Sequence, residues 1–275
     1  MYYFMDFFVL SINSFTVIFG LMVGSFLNCV IYRLSLPKFS LWKNLGGLKG
    51  RSYCPNCKHQ LIWLDLLPVL SFLFLRGTCR YCRKKISIQY PVVEIATALI
   101  FVLILNFHGE VLNKPSLTTV ANVLLSWYLA SVFIVIFVYD LTHYLIPDNI
   151  LLPTIVAVFL YRLLYVSFVW NYIFAVIIAS GFFLCIFLIS KGKWMGFGDV
   201  KLAVLLGLVL GFPNIVVGLF LSFFFGAIIG AGLMLFDKKR LKSEIPFAPF
   251  LIVGTGAAMV WGSKIITWYL SLMYH

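Results

Sequence analysis

Eight apolar segments follow one another along this chain, near residues 7–32, 91–107, 119–139, 150–169, 171–190, 200–212, 214–236 and 251–271. A helix that crosses a bilayer needs about 20 mostly apolar residues, and in hydrocarbon each backbone N–H and C=O must be satisfied within the structure itself. Such a succession predicts an all-α polytopic membrane protein with about eight transmembrane helices. Only 11% of the residues are charged, against about 25% in soluble domains, so a large separate soluble domain is excluded. The sixth segment is short and breaks at "GFPN" (211–214). It is expected to be tilted, or to be a half-helix joined tightly to the seventh. No basic stretch precedes the first segment and no small-residue cleavage site follows it, which favours a retained span over a signal peptide.

The net charge of +12 is unevenly placed. With the first helix running from outside to inside, the loops 33–90, 140–149, 191–199 and 237–250 share one side and hold 17 of the 21 lysines and arginines. Lys201 joins them just inside the sixth segment. The opposite side has Lys114 in a loop, while Arg162 and Lys264 lie within segments. Basic loops stay in the cytoplasm, so the N-terminus is expected outside. This topology accounts for the charge, with membrane lipid as the surrounding partner and no nucleic acid. The expected division is a first helix (1–32), a cytoplasmic loop domain (33–90) and a helical bundle (91–275). Within the loop, "LLPVLSFLFL" (66–75) is too short to span and is expected to lie at the interface, re-enter, or pack against the bundle.

Four of the six cysteines form two Cys-x-x-Cys pairs, "CPNC" (54–57) and "CRYC" (79–82), separated by 21 residues in the most basic loop. In a reducing cytoplasm this pattern favours metal over disulfides. Cys54, Cys57, Cys79 and Cys82 would close a tetrahedral zinc site resembling a zinc ribbon, with no open position and hence a structural role. His59 is then a solvated loop residue. Cys29 and Cys185 read as small buried hydrophobes.

Nine acidic residues make each one informative. Asp6, Glu110, Asp237 and Glu244 fall in terminal or loop positions, and Asp65 is placed to cap the interfacial stretch. Asp140 ends the third segment and Asp199 begins the sixth, at similar depth on the same predicted side. Carboxylates there are costly unless they serve a site. A close pair would share one proton, so that one carboxylate activates water while the other polarises a carbonyl. Gly196 and Gly198 would permit an irregular backbone beside Asp199, with room for an extended peptide. The competing reading of Asp199 is a helix cap. Capping suits Asp148 in "IPDN", but a negative charge at the C-terminal end of a helix, as at Asp140, opposes the macrodipole. Glu94 enters the second segment from the same side, either as a base or ligand for a cationic group, or paired with a loop arginine such as Arg33 or Arg83. A proton-coupled transporter with a zinc-stabilised loop is the alternative enzyme-free reading. It would need an ionisable path across the bilayer, for which only Arg162 and Lys264 are on offer. A non-catalytic assembly factor is a third.

Several motifs, taken in order, resemble the type IV prepilin peptidases: "GSFLNCVIYRL" (24–34), the four cysteines, "LDLLPVLSFLFLRGTCRYC" (64–82), "YPVVE" (90–94), "DLTHYLIPD" (140–148), "GFGDVK" (196–201) and "IPFAPFL" (245–251). "GFGD" also resembles the Gly-x-Gly-Asp pattern of intramembrane aspartyl proteases. Ala248 stands where that family leads one to expect glycine. The resemblance implies a bifunctional enzyme of the bacterial cytoplasmic membrane. It would cleave the basic leader of a prepilin or pseudopilin at the cytoplasmic face, with Asp140 and Asp199 as the proteolytic pair and Asp148, Lys201, Gly196 and Gly198 in support. It also implies N-methylation of the new terminus from S-adenosylmethionine, associated with the zinc-stapled loop. Glu94 is the candidate for orienting the amine or the methyl donor, with Asn28 and Arg33 as neighbours. No glycine-rich nucleotide loop is visible in the sequence, so methyl transfer is an implication of the resemblance alone.

Overall fold

The computed structural model describes residues 2–36, 51–109, 116–165, 168–235 and 246–273. The basic residues Lys38, Lys43, Lys49, Lys114, Lys238, Lys239, Arg240 and Lys242, the acidic residues Glu110, Asp237 and Glu244, and the side chain of Asp6 lie outside the described residues. The described chain is helical apart from turns and two isolated bridges. Its helices are α1 (Tyr2–Leu34), α2 (Leu70–Phe74), α3 (Gln89–Phe107), α4 (Leu117–His143), α5 (Asp148–Tyr165), α6 (Trp170–Ser190), α7 (Phe197–Leu210), α8 (Asn214–Leu235) and α9 (Ala248–Met273). Among the described residues seven helices are long and apolar enough to cross a membrane. They coincide with seven of the eight apolar segments. The sixth segment is α7, with 14 residues. At about 1.5 Å per residue it reaches roughly 21 Å, short of the ~30 Å hydrocarbon core.

The chain forms two compact units, residues 1–135 and 136–275, divided within α4. In the first, α1 lies directly on α3. A Cβ at Gly20 would sit 2.6 Å from the Ala98 Cα, and one at Gly24 would sit 2.6 Å from the Glu94 Cα. Small residues four apart let two apolar helices bring their backbones together, where packing rather than hydrophobic burial holds helices in lipid. Trp127 of α4 stacks on Phe101 of α3 (5.0 Å between centroids) and donates its indole N–H to the Phe101 carbonyl at 3.0 Å. The stretch 66–75 folds as the end of a 3-10 turn (Trp63–Leu66) followed by α2. It leaves Trp63, Leu70, Leu73 and Phe74 exposed, an apolar outer face consistent with an interfacial position.

In the second unit α7 is the innermost helix: ten of its fourteen residues are buried. It returns along α6 so closely that a Cβ at Gly207 would lie 2.7 Å from the Val176 backbone. Its carbonyl end would be left unsatisfied in an apolar setting. Arg162 of α5 supplies the donors, with Nε to the Leu208 carbonyl (3.1 Å) and Nη2 to the Val209 carbonyl (2.9 Å), while its guanidinium stacks on Tyr172 at 4.3 Å. A cation at a helix C-terminus also complements the macrodipole. The three-residue turn Gly211–Pro213 leads straight into α8, which is the tight half-helix junction expected from "GFPN".

Candidate active site

Asp140 occupies the last turn of α4, where the helix dipole disfavours it. Compensation comes from another helix start. The backbone N–H of Ala248, first residue of α9, donates to the Asp140 carboxylate. Pro249 follows and has no N–H to offer, so Ala248 holds one of the few free donors at that end. Ala248 is not among the positive-φ residues, so the contact needs no glycine there. The other oxygen, Asp140 Oδ2, is buried with no hydrogen-bond partner among the described residues.

Asp199 is the third residue of α7. It stands at the N3 position, and the backbone of Gly196, the extended N-cap residue with φ −77° and ψ 154°, acts on its carboxylate. Asp140 and Asp199 are 5% and 8% exposed, and near enough that the charge of one acts on the other. Gly196 has open space where a Cβ would be, its nearest neighbour being the Gly198 N at 3.9 Å. Gly198 differs from expectation. It is regular helix, and a Cβ there would meet Ile146 Cβ at 3.2 Å, so its missing side chain accommodates Ile146 and not an irregular backbone. Asp148 begins α5, and its Oδ2 accepts from Lys201 Nζ at 2.7 Å. Lys201 lies two residues beyond Asp199, and its Nζ also lies 5.4 Å from the Phe197 ring centroid. The ion pair ties the start of α5 to the first turn of α7.

A second constellation lies wholly within the first unit. A cavity of about 540 Å³ is lined by Ser25, Asn28 and Arg33 of α1, by Tyr90 and Glu94 of α3, and by loop residues that include Cys54 and Cys79. Glu94 is buried (6% exposed). Of the two readings of Glu94, the pairing with Arg33 or Arg83 is not seen among the described residues. Glu94 instead accepts from the Val69 N–H through Oε2 at 2.7 Å, with the Ser25 side chain beside it on the cavity. Val69 has φ 59° and ψ −47°, and Leu70 N–H bonds back to the Pro68 carbonyl. That is the rare γ-turn with a positive central φ, strained for any residue and more so for a β-branched one. The turn aims the Val69 N–H at Glu94. Asn28 donates Nδ2 to the Tyr90 carbonyl at 3.0 Å, and its buried Oδ1 has no partner among the described residues.

The four cysteine sulfurs lie within 4.8 Å of one another, with Cys54 and Cys82 3.9 Å apart. Zinc–sulfur bonds of about 2.3 Å in a tetrahedron place sulfurs about 3.8 Å apart, so the set fits such an ion. The two knuckles are built alike. Cys54 N–H bonds to the His59 carbonyl and Cys79 N–H to the Lys84 carbonyl, and Lys58 and Arg83 both turn at φ 59°. Burial raises the Cys54 thiol, but hydrogen bonds from the Cys57 and Asn56 backbone and the Cys57 and Cys79 side chains outweigh it, to about 7. The His59 N–H lowers Cys57, yet desolvation and the Cys54 and Cys82 sulfurs carry it up to about 11. One thiolate is favoured and further charge resisted, as in a set that needs a cation to hold four thiolates. His59 stacks on Tyr81 at 3.6 Å and stays exposed, outside the cluster. Asp65 caps the 3-10 turn through the Ile62 N–H and accepts from Arg80 Nε at 2.7 Å, which ties the turn to the second knuckle.

Comparison with known proteins places these features. Residues 18–107 match the model of the bacterial peptidase A24 N-terminal domain, and residues 127–231 match that of the type IV leader peptidase family. A protein of Aeromonas salmonicida called "Prepilin leader peptidase/N-methyltransferase" is 34% identical over 281 residues, covering 94% of each chain. A Bacillus subtilis protein of the same name is 32% identical, covering 93% of this chain and 96% of its own. The chain belongs to the type IV leader peptidase family. No solved structure gives a significant match.

In this leader peptidase family member the two matched regions divide the candidate residues. Glu94, Asn28, Arg33 and the cysteines fall in the first, and Asp140, Asp148, Asp199 and Lys201 in the second. The structure brings Asp140 and Asp199 into mutual electrostatic range, sets Glu94, Asn28 and Arg33 on one cavity, and gathers the four sulfurs. Sequence reasoning gave no role to Ser25 or Val69, and noted Ala248 only as a departure from the family pattern. Only Gly20-x-x-x-Gly24, a close-packing signature one turn before Ser25 and Asn28, could have pointed to the first.

Proposed function

We propose that the chain cleaves the leader of type IV prepilins or pseudopilins with Asp140 and Asp199, and methylates the new N-terminus in the cavity that holds Glu94. The observation that carries the cleavage reading is the pair of buried carboxylates, near enough that the charge of one acts on the other. One carboxylate would take a proton from water while the other gives one to the scissile carbonyl, with no metal needed. The substrate's basic leader is held in the cytoplasm and its apolar helix enters the bilayer, so the scissile bond falls near the cytoplasmic ends of α4 and α7. A helical peptide bond has its carbonyl occupied, so the substrate unwinds locally before attack. The chain's setting is a bacterial cytoplasmic membrane, with the N-terminus outside and the site at the cytoplasmic face.

The zinc staple is structural in this reading. Cys54, Cys57, Cys79 and Cys82 would hold the ion, fixing the loop residues 51–87 that supply one wall of the cavity. S-adenosylmethionine, when bound, supplies a methyl group on a sulfonium. A cavity of about 540 Å³ is within the usual range for a molecule of that size. The first helix (1–32) and the loop (33–90) thus serve methyl transfer together with the start of α3, and cleavage belongs to the bundle within 91–275. Co-expression with candidate prepilins tests the reading. The expected result is a leader-sized mobility shift together with a methyl mass on the processed terminus. A prepilin that stays unprocessed with every candidate substrate would refute it.

A further inference from the structure

The cavity of the first unit has a basic mouth and an acceptor-lined floor. Arg51, Lys84 and Lys85 line it, and Arg80 is engaged by Asp65. The floor carries two acceptors: the Glu94 carboxylate, which makes no ion pair among the described residues, and the buried, unpartnered Asn28 Oδ1. The Val69 N–H fixes the carboxylate but brings it no positive charge. A buried carboxylate without a cation is costly, and two acceptors on residues that line one cavity call for a ligand that donates several hydrogen bonds and carries positive charge. A primary ammonium is the smallest such group. Of the other titratable groups on the cavity, Cys29 and Tyr32 come from α1 beside Arg33, Tyr90 comes from α3, and Tyr53, Cys54 and Cys79 come from the loop. Among the described residues Glu94 is therefore the one carboxylate on the cavity that has no cation.

We propose that Glu94 and Asn28 Oδ1 form an ammonium subsite for the substrate's newly freed α-amine, and that Glu94 takes its proton; this rests on the methyl-transfer reading above. The step balances as R–NH₃⁺ with a carboxylate giving R–NH₂ and a carboxylic acid. The N–H bond breaks, an O–H bond forms at Glu94, and the electron pair stays on nitrogen. A free α-amine has a reference pKa of about 7.7–8.0, so without a base much of it stays protonated and non-nucleophilic near neutral pH. Depth favours the substrate over the donor as the source of the ammonium. Glu94 lies in the second turn of a helix long enough to cross the membrane, the level at which an amine borne on a membrane helix arrives. A water-soluble donor enters instead through the basic mouth.

The test is binding in the absence of any methyl donor, using a peptide with an apolar N-terminal sequence, either with a free α-amine or N-acetylated. The whole protein in detergent is expected to prefer the free amine by roughly 10–100-fold, the range for hydrogen bonds to a charged group. Glu94→Gln should erase that preference while the melting temperature holds, because glutamine keeps an acceptor for the Val69 N–H. Asn28→Ala should reduce it several-fold. An unchanged preference in Glu94→Gln overturns the proposal. So does loss of S-adenosylmethionine affinity with the amine preference intact, which would assign Glu94 to the donor. Free-amine binding that depends on Glu94, in a protein that never methylates, supports the subsite while refuting the methyl-transfer reading, so the two failures are distinct.

Discussion

Gly24→Ala tests whether the close approach of α1 and α3 is what positions Glu94. The added Cβ would stand 2.6 Å from the Glu94 Cα and 3.1 Å from Thr97 Oγ1. Carbon atoms in ordinary contact lie about 3.5–4.0 Å apart, so the helices must separate by roughly 1 Å at the level of Glu94. The obstacle is backbone and cannot rotate away. Overpacking of this kind costs about 1–3 kcal/mol, and a displacement of about 1 Å at a reacting group can cost about 10²-fold in rate. The expected result is a measurably lower melting temperature and a methylated share of the cleaved product reduced by one to two orders of magnitude, read by intact mass. Cleavage should fall much less, because Asp140 and Asp199 belong to the other compact unit. Gly256→Ala is the control. A Cβ there meets nothing within 4 Å, and alanine in a helix is favoured by up to about 1 kcal/mol. A Gly24→Ala protein that melts and methylates like the parent would refute the claim that this contact sets the position of Glu94.

Arg162→Met should destabilise the second unit by about 2–4 kcal/mol, since two carbonyls near the end of α7 lose charged donors and Tyr172 loses its cation; unfolding in detergent measures it. The Lys201–Asp148 pair is short but half-open to solvent, 27% and 49% exposed. A double-mutant cycle with Lys201→Met and Asp148→Asn should therefore give a coupling of at most about 1 kcal/mol. Metal analysis should find one zinc per chain, and Cys54→Ser or Cys79→Ser should lower that content and open the loop 51–87 to protease.

The spans were legible because lipid permits few structures, so hydropathy alone located all seven long helices. The short α7 was legible as short, since "GFPN" follows it within a few residues. The cysteines were legible because sulfur ligands at fixed spacing act locally. Asp140 and Asp199 were found through the rarity of acidic residues in an apolar chain. What was not legible acts through the backbone. Val69 gives an N–H to Glu94 from a strained turn, and Ala248 gives one to Asp140 from a helix start; neither depends on side-chain type. The contact of Glu94 escaped for the same reason: of the two readings left open, one looked for an arginine, and the structure supplies a backbone amide. Gly198 was misread as loose backbone because its neighbour Ile146 is 52 residues away in sequence.

The claim that Asp140 and Asp199 work as one unit is tested most directly by the cleavage rates of Asp140→Asn, Asp199→Asn and the double variant on one prepilin. Residues that act together lose nearly everything when either is removed. Each single variant is therefore expected to fall by about the same large factor as the double. Losses that simply add, or a single variant that still cleaves at the parent rate, would contradict the account.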